Sequence, residues 1–381
     1  MRDRLKVVYN VSILRGPRTG IGNYTWELLE ALKALGGVEP LYFDGVSLRS
    51  DLHTIQSASH TRKADLVKSF VPGAYRIRRA LMQRQFSTIC SSERPDLYHE
   101  PSLWPLEFSG SGVMTLHDLT HVHFPETQPR QRILEINRRC QAGLAAAGAV
   151  LVDSEFIARE VADYYQVSRS KIIVAPLGVA ERFRPRTEAE IGSQLANLGL
   201  AYRGYILSVG TLEPRKNLTY TLEAHRLLPK EVRCEFPLVV VGMHGWHKGS
   251  YSDELQLGLA EGSVKLLGYL NDDSLAAVVA GAKLSVYPSL YEGFGLPVLE
   301  AMASATPVMV SDRASLPEVA GSAGCYVPLD DANAYAEKIR ELLENNGLCE
   351  NYQQLGLNQA AQFSWRCCAE QTLSAYHLAI Q

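Results

Sequence analysis

The sequence predicts an α/β protein of two domains, each built on a doubly wound parallel sheet, and three observations carry that prediction. At 381 residues the chain is long enough for two cores of ordinary size. Short apolar runs alternate with helix-length amphipathic stretches along its whole length, the order expected of parallel strands joined by crossover helices. The segments after those runs are rich in Gly, His, Asp and Arg, as expected where functional loops leave the carboxyl ends of parallel strands.

Composition narrows the class. Hydrophobic residues make up 46% and charged residues 21%, as in a soluble globular protein, and a net charge of −3 gives no overall attraction to nucleic acid, so no nucleic-acid partner is expected. Met1 to Lys6 pass directly into a strand-like run with no signal-peptide apolar region, and no stretch reaches about eighteen consecutive apolar residues. The expectation is a cytosolic protein. Seven cysteines, an odd number without a C-x-x-C pair, fit buried thiols in a reducing compartment better than a disulfide framework or zinc site.

In chain order, Leu5–Val11 is the first expected strand, and Gly16–Asn23 a Gly-rich turn into a helix from about Tyr24 to Leu35. Glycines there allow the backbone to approach an anion or sugar at a helix start, or form an ordinary βα turn. A dinucleotide fold would want G-x-G-x-x-G and an acid after the second strand. Asp44 meets the second condition, but Thr25 stands where the third glycine belongs, so a NAD-dependent oxidoreductase is the least favoured alternative. From Arg62 to Arg84 seven cations face only Asp65, interleaved with Phe70, Tyr75, Ile77, Leu81 and Phe86. Such a patch suits a helix lying on an anionic membrane surface, or a solvated charged face.

Further strands are expected at Asp96–His99, Gly112–Leu116, Ala149–Val152 and Lys171–Ala175. Two of their ends are polar. His99-Glu100-Pro101-Ser102 and His117-Asp118-Leu119-Thr120-His121 both follow apolar strands, and the His117-Asp118 pair is the better site candidate. No G-x-S-x-G elbow accompanies them, which disfavours a Ser-His-Asp hydrolase. Pro176–Val179 and Phe183–Arg186 break the pattern as a linker, dividing a domain of residues 1–180 from one of 187–363.

In the second domain Tyr205–Val209 is a strand, Gly210–Asn217 its loop and Leu218–Leu228 its helix. Arg215 and Lys216, beside a Gly loop and a helix start, can neutralise a diphosphate. Strands at Pro237–Gly242 and Val264–Gly268 follow, and Asn271-Asp272-Asp273-Ser274 reads as a helix N-cap rather than a metal-binding D-x-D, so no metal site is expected. Leu284–Tyr287 then leads into Tyr291-Glu292-Gly293-Phe294-Gly295-Leu296-Pro297-Val298-Leu299-Glu300. Gly293 and Gly295 let this loop turn its N–H groups towards a ligand, Pro297 suits the first helical position, and Glu292 and Glu300 can accept hydrogen bonds from sugar or ribose hydroxyls.

That string resembles the E-x7-E signature of family 4 retaining glycosyltransferases of the GT-B fold, and the resemblance extends over nearly the whole chain. It implies two Rossmann-like domains around an interdomain cleft, with the last helix, 364–381, crossing back to the first domain. It places Glu300 on the ribose, Glu292 on the transferred sugar, and the loop Gly293-Phe294-Gly295-Leu296 on the donor. Gly210, Arg215 and Lys216 resemble the family's diphosphate element, although Leu212-Glu213-Pro214 departs from its more usual small or polar residues. Tyr269 and Leu270 resemble the backbone that reads the base. His117 matches a histidine beside the transferred sugar and Ser154 a serine nearby, while His99 joins them on the acceptor side. Gly20 and Gly22 fall near the donor diphosphate and acceptor. The likeness to bacterial O-polysaccharide mannosyl- and rhamnosyltransferases implies a GDP-linked donor, no cofactor or metal, and a lipid-linked saccharide acceptor at the cytoplasmic face of the inner membrane. Alternatives left open are a UDP-sugar donor, a GT-B sugar-nucleotide 2-epimerase and a nucleotide-sugar-binding subunit without catalysis.

Overall fold

The computed structural model describes residues 4–16, 20–57, 74–243 and 253–381. Residues 62–73 of the basic stretch, with Arg62, Lys63 and Lys68, lie outside the described residues. The chain divides into two compact units, Met1–Leu119 with Arg130–Gly178 and Trp365–Gln381, and Thr120–Pro129 with Val179–Ser364.

In the first unit β1 (Leu5–Asn10), β2 (Val38–Phe43), β3 (Leu48–Arg49), β4 (Leu97–Glu100), β5 (Ser111–Leu116), β6 (Ala149–Val152) and β7 (Ile172–Val174) form a sheet in the order β3-β2-β1-β4-β5-β6-β7. All neighbours are parallel except β2 and β3. Central parallel strands are covered on both faces, which is why β4 and β6 are buried along their whole length. The short antiparallel β3 went unforeseen because two residues carry no periodic signal. It is held by Asp44, whose carboxylate accepts from the N–H of Val46 and Ser47 and from Arg49 Nε at 2.7 Å. That carboxylate closes a turn instead of waiting for a ribose, which removes the condition that favoured a dinucleotide fold.

The first helix begins at Gly20, not Tyr24. Packing overrides the weak helix propensity of Gly20 and Gly22, because the face carrying Tyr24, Leu28 and Leu32 is buried. Phe86, expected as a surface anchor, sits in the core with Phe43 and Tyr98, whereas Ile77 and Leu81 of the same helix, Ala74–Glu93, are exposed. The last helix, Trp365–Ala379, packs on the first helix and on β6, within the first unit.

The second unit holds β8 (Ile206–Val209), β9 (Leu238–Val241), β10 (Val264–Gly268), β11 (Leu284–Tyr287), β12 (Val308–Val310) and β13 (Gly324–Tyr326), all parallel, in the order β10-β9-β8-β11-β12-β13. Its boundary differs from the expected one. Thr120–Pro129, placed by sequence inside residues 1–180, belongs here, with the rings of His123 and Phe124 lying 4.9 and 5.9 Å from that of Tyr291. Ten residues without a strand between two first-unit elements gave no composition shift to mark the excursion.

Strand ends β8, β9 and β10 are knitted by Gly210 N to Val241 O and Gly242 N to Gly268 O, both 2.9 Å. The approach is so close that a Cβ on Gly242 would overlap the Gly210 carbonyl oxygen. Gly242→Ala should therefore cost roughly 3 kcal/mol of stability. A denaturant titration measures this, and a wild-type midpoint would show that these strand ends can part freely.

Candidate active site

The strand order of the second unit reverses between β8 and β11, and loops at such a switch point diverge to leave a crevice. After β8 the chain runs through Gly210, at φ +154°, to a tight turn at Pro214–Lys216. It then passes Asn217, at φ +56°, into the helix Leu218–Leu227. After β11 the chain turns at Gly295, φ +108°, into the helix Leu296–Ala303. Pro297 takes the second helical position, one later than expected, and Glu300 the fifth.

The loop between is pinned from two sides. Leu290 N donates to Arg215 O at 2.8 Å, and Ser315 Oγ donates to the carbonyls of Glu292 and Phe294 at 2.9 and 2.8 Å. Ser311 Oγ adds a bond of 2.5 Å to Ser289 O. Ser311 and Ser315 were not singled out from sequence, because nothing local marks a serine that supports a neighbouring loop.

Within this frame Arg215 Nη1 donates to Glu292 Oε2 at 2.8 Å and to Tyr291 O at 3.0 Å, while Lys216 Nζ donates to Glu292 Oε1 at 2.5 Å. Sequence reasoning assigned the acid to a sugar and the cations to a diphosphate; the structure joins all three in one ion-pair cluster. Burial works to raise the Glu292 carboxyl, but the charges of Lys216 and Arg215 outweigh it and hold the group down at about 2. Glu213, a further residue missed, accepts from Arg215 Nε at 2.9 Å. Beside the cluster lies a small niche lined by Ser208, Gly210, Thr211, Lys216, Tyr287 and Ser289.

Glu300 is buried, and with burial itself the leading cause, its charge helps push the Tyr287 hydroxyl well up. Tyr269 and Leu270 follow the edge strand β10, and the Tyr269 ring is half exposed. Asn271 caps the next helix, its Oδ1 accepting from Ser274 N at 2.9 Å, and Asp272 lies 3.6 Å from Arg182.

In the first unit His117 extends from β5. Its Nδ1 lies 2.7 Å from Asp153 Oδ2, its Nε2 3.2 Å from Pro101 O, and the Tyr24 ring meets it edge-on at 4.4 Å. Its partner is thus Asp153 and not the adjacent Asp118. Register explains this: Leu116 pairs with Val152, so His117 and Asp153 are the next residues on neighbouring parallel strands. Burial disfavours the charged imidazole, but the Asp153 carboxylate overcomes it and raises His117 above its ordinary value.

His99, expected on the acceptor side, lies in the body of the first sheet. It is buried with Nδ1 2.7 Å from Tyr376 Oη and Nε2 2.8 Å from Thr115 Oγ1, so both ring nitrogens are taken, and burial drives it down to about 3. Ser154 caps the helix Glu155–Tyr165 through a 3.3 Å bond from Ile157 N, and Gly20 and Gly22 lie in the first turn of their helix. A cavity of about 370 Å³ lies in the first unit among Tyr98, Glu100, Leu106, Phe108, Met114 and Arg139, away from His117 and Asp153.

Comparison with known proteins settles the family. The profile for glycosyl transferases group 1 matches residues 200–359, and that for glycosyltransferase family 4 matches residues 18–182. An O-antigen chain mannosyltransferase B from Escherichia coli is 33% identical over 98% of this chain and 100% of its own length. The chain belongs to the group 1 and family 4 glycosyltransferases. Its fold is GT-B, shared with the sucrose-phosphate synthase of Thermosynechococcus elongatus (TM-score 0.72, 22% identity, 98% of each chain covered). It is shared too with the Alr3699/HepE protein of Anabaena, solved with UDP-glucose (TM-score 0.71, 15% identity, 98% of this chain and 100% of that one). This glycosyltransferase therefore presents a charged cluster at the switch point of its group 1 region and a His–Asp pair in its family 4 region.

The depressed Glu292 carboxyl has a consequence for acid stability. With a folded value near 2 against about 4.5 unfolded, the carboxylate stabilises the protein above pH 4.5, and that contribution is lost as pH falls towards 2. Its size is about 3 kcal/mol. Urea titrations of wild type and Glu292→Gln from pH 7 to 2 should converge over that window, and parallel curves would show that the acid is not held charged by its neighbours.

Proposed function

We propose that this glycosyltransferase moves mannose, or its 6-deoxy relative D-rhamnose, from a GDP-linked donor to a lipid-linked saccharide, with retention of anomeric configuration, in assembling a bacterial O-polysaccharide. The observation that carries the proposal is the full-length similarity to the O-antigen chain mannosyltransferase B. The Arg215–Lys216–Glu292 cluster, two cations and an acid fixed in the group 1 region, is the chemistry such a donor requires.

No nucleophile is required of the protein in this reading. The departing diphosphate helps deprotonate the acceptor hydroxyl at the face it leaves, and the protein supplies orientation and charge. Arg215, Lys216 and the N–H groups at Gly293–Leu296 stabilise the negative charge that grows on the leaving diphosphate, where preorganised donors lower a barrier most. Glu300 holds the ribose, Glu292 fixes the cations and accepts from the sugar, and backbone at Tyr269 and Leu270 reads the base. In the first unit His117, oriented by Asp153, and Asp118 offer polar groups to a saccharide hydroxyl. No metal takes part. The protein works at the cytoplasmic face of the inner membrane, in peripheral contact with anionic lipid through the basic stretch of residues 62–84. Among the described residues no helix is long and apolar enough to cross a membrane. A UDP-linked donor is the second reading, favoured by the UDP-glucose seen in the HepE protein of the same fold.

A panel of GDP-mannose, GDP-rhamnose, UDP-glucose and UDP-N-acetylglucosamine, assayed by nucleoside diphosphate release and by NMR of the product anomer, decides the donor and stereochemistry. GDP sugars with retention are expected; preference for a UDP sugar, or inversion, would overturn the corresponding part.

Lys216→Ala should lower kcat more than it raises the donor KM, because its charge matters most as the diphosphate departs. Glu300→Ala should weaken nucleotide binding by about ten- to a hundredfold, the worth of a hydrogen bond to a charged group. EDTA should leave the wild-type rate unchanged. Wild-type kinetics in both variants, or a rate abolished by chelator and restored by manganese, would count against the site as assigned.

A further inference from the structure

Glu213 stands immediately before the turn Pro214–Lys216, in extended backbone at φ −123° and ψ 146°. Its carbonyl accepts from Lys216 N at 3.0 Å, so its backbone closes the turn that presents both cations. Its carboxylate accepts from Arg215 Nε at 2.9 Å, while Nη1 of the same guanidinium is bound by Glu292 Oε2 at 2.8 Å and Tyr291 O at 3.0 Å. Arginine carries five donors in one rigid plane. Acceptors on two of its nitrogens, each carboxylate bonding only one of them, together fix both the position and the tilt of that plane. The side chains of Arg215 and Glu213 are only 13% and 20% exposed, so solvent screens the pair weakly.

The charges of the cluster are also balanced. Arg215 and Lys216 contribute two positive charges, Glu213 and Glu292 two negative ones. Without Glu213 the loop would carry a net positive charge against any diphosphate that reached it. Such an excess favours product over donor. The phosphate that is esterified to sugar in the donor becomes terminal in the released nucleoside diphosphate and gains a further ionisation, with a pKa near 6. A net positive loop therefore binds the leaving group more tightly than the donor and slows turnover at release.

We propose that Glu213 is a positioning residue that fixes the plane of the Arg215 guanidinium and, by its charge, sets how tightly the site retains nucleoside diphosphate product. The proposal rests on the nucleotide-sugar reading above and adds a control on product release.

The test is calorimetric binding of GDP and UDP to wild type, Glu213→Gln, Glu213→Asp and Glu213→Ala at low and physiological salt, with steady-state kinetics on the preferred donor. Glu213→Gln retains an oxygen for Arg215 Nε but loses the charge. It should bind the nucleoside diphosphate about fivefold more tightly, with a steeper salt dependence and deeper product inhibition. Glu213→Asp keeps the charge and should restore wild-type retention. Glu213→Ala loses the position of the guanidinium too, and its kcat/KM should fall below that of Glu213→Gln. Unchanged affinity and salt dependence in Glu213→Gln, with wild type binding normally, would overturn the charge role alone, while a wild type that binds neither nucleotide would overturn this proposal and the donor reading together.

Discussion

A parallel sheet concentrates its uncommitted backbone and side chains at the carboxyl ends of its strands, and where the strand order reverses, two adjacent ends send their chains to opposite faces of the sheet. In the second unit that reversal falls between β8 and β11, and nearly every chemically distinctive feature of the unit follows from it. The loop after β8 supplies Glu213, Arg215 and Lys216; the loop after β11 supplies Glu292 and, a turn into its helix, Glu300. The two loops are 76 residues apart in sequence at Lys216 and Glu292, yet β8 and β11 are hydrogen-bonded neighbours, so the separation costs nothing once the sheet forms.

Burying the Glu292 carboxylate is unfavourable by itself, since burial alone would raise its pKa; the two cations reverse the sign. Ion pairs of this kind add little to stability compared with apolar side chains of the same size, whereas removing one partner leaves a buried charge and costs about 3–5 kcal/mol. The cluster is better understood as geometry. Its members are held by Ser315, Tyr291 and one another before any ligand is considered, so their reorganisation in the course of a reaction is small.

Strands were the most legible part of the sequence, because buried parallel strands are nearly continuous apolar runs, and β6, β10 and β11 begin and end at the residues expected. The two-residue β3 is too short to carry such a signal, and β13, Gly-Cys-Tyr, has no aliphatic run, unlike the equally short β7, Ile-Ile-Val. Site residues were legible as types and not as partnerships. His99 and His117 looked alike, each a histidine at a strand end. What distinguishes them is enclosure and charge: His99 is buried between the neutral hydroxyls of Tyr376, 277 residues later, and Thr115, whereas His117 keeps 15% of its side chain exposed and meets the Asp153 carboxylate. Asp153 was passed over for Asp118 because adjacency in sequence is visible and register between strands is not. Glu213 was noticed only as a departure from the family pattern, since a carboxylate two residues from an arginine gains its meaning from the turn that folds one onto the other.

The two units use strand ends in opposite electrical senses. Around His99 the first unit assembles neutral groups, with Tyr9, Tyr376, Thr115 and Tyr24 linked through hydrogen bonds of 2.7 to 3.2 Å. Burial pushes the tyrosines up and the histidine down, so none of them ionises near neutral pH. That network ties the final helix to β1, β4 and β5, and it is stable because every member both lacks charge and has a partner. One residue beyond β5 and β6 the same sheet places His117 against Asp153, where the carboxylate favours the charged imidazole. In the second unit the strand ends carry full charges that only their mutual pairing makes tolerable. The step from neutral network to ion pair thus follows the step from the body of a sheet to its carboxyl rim, and it is at the rim that a charged substrate can be met without unsettling the core.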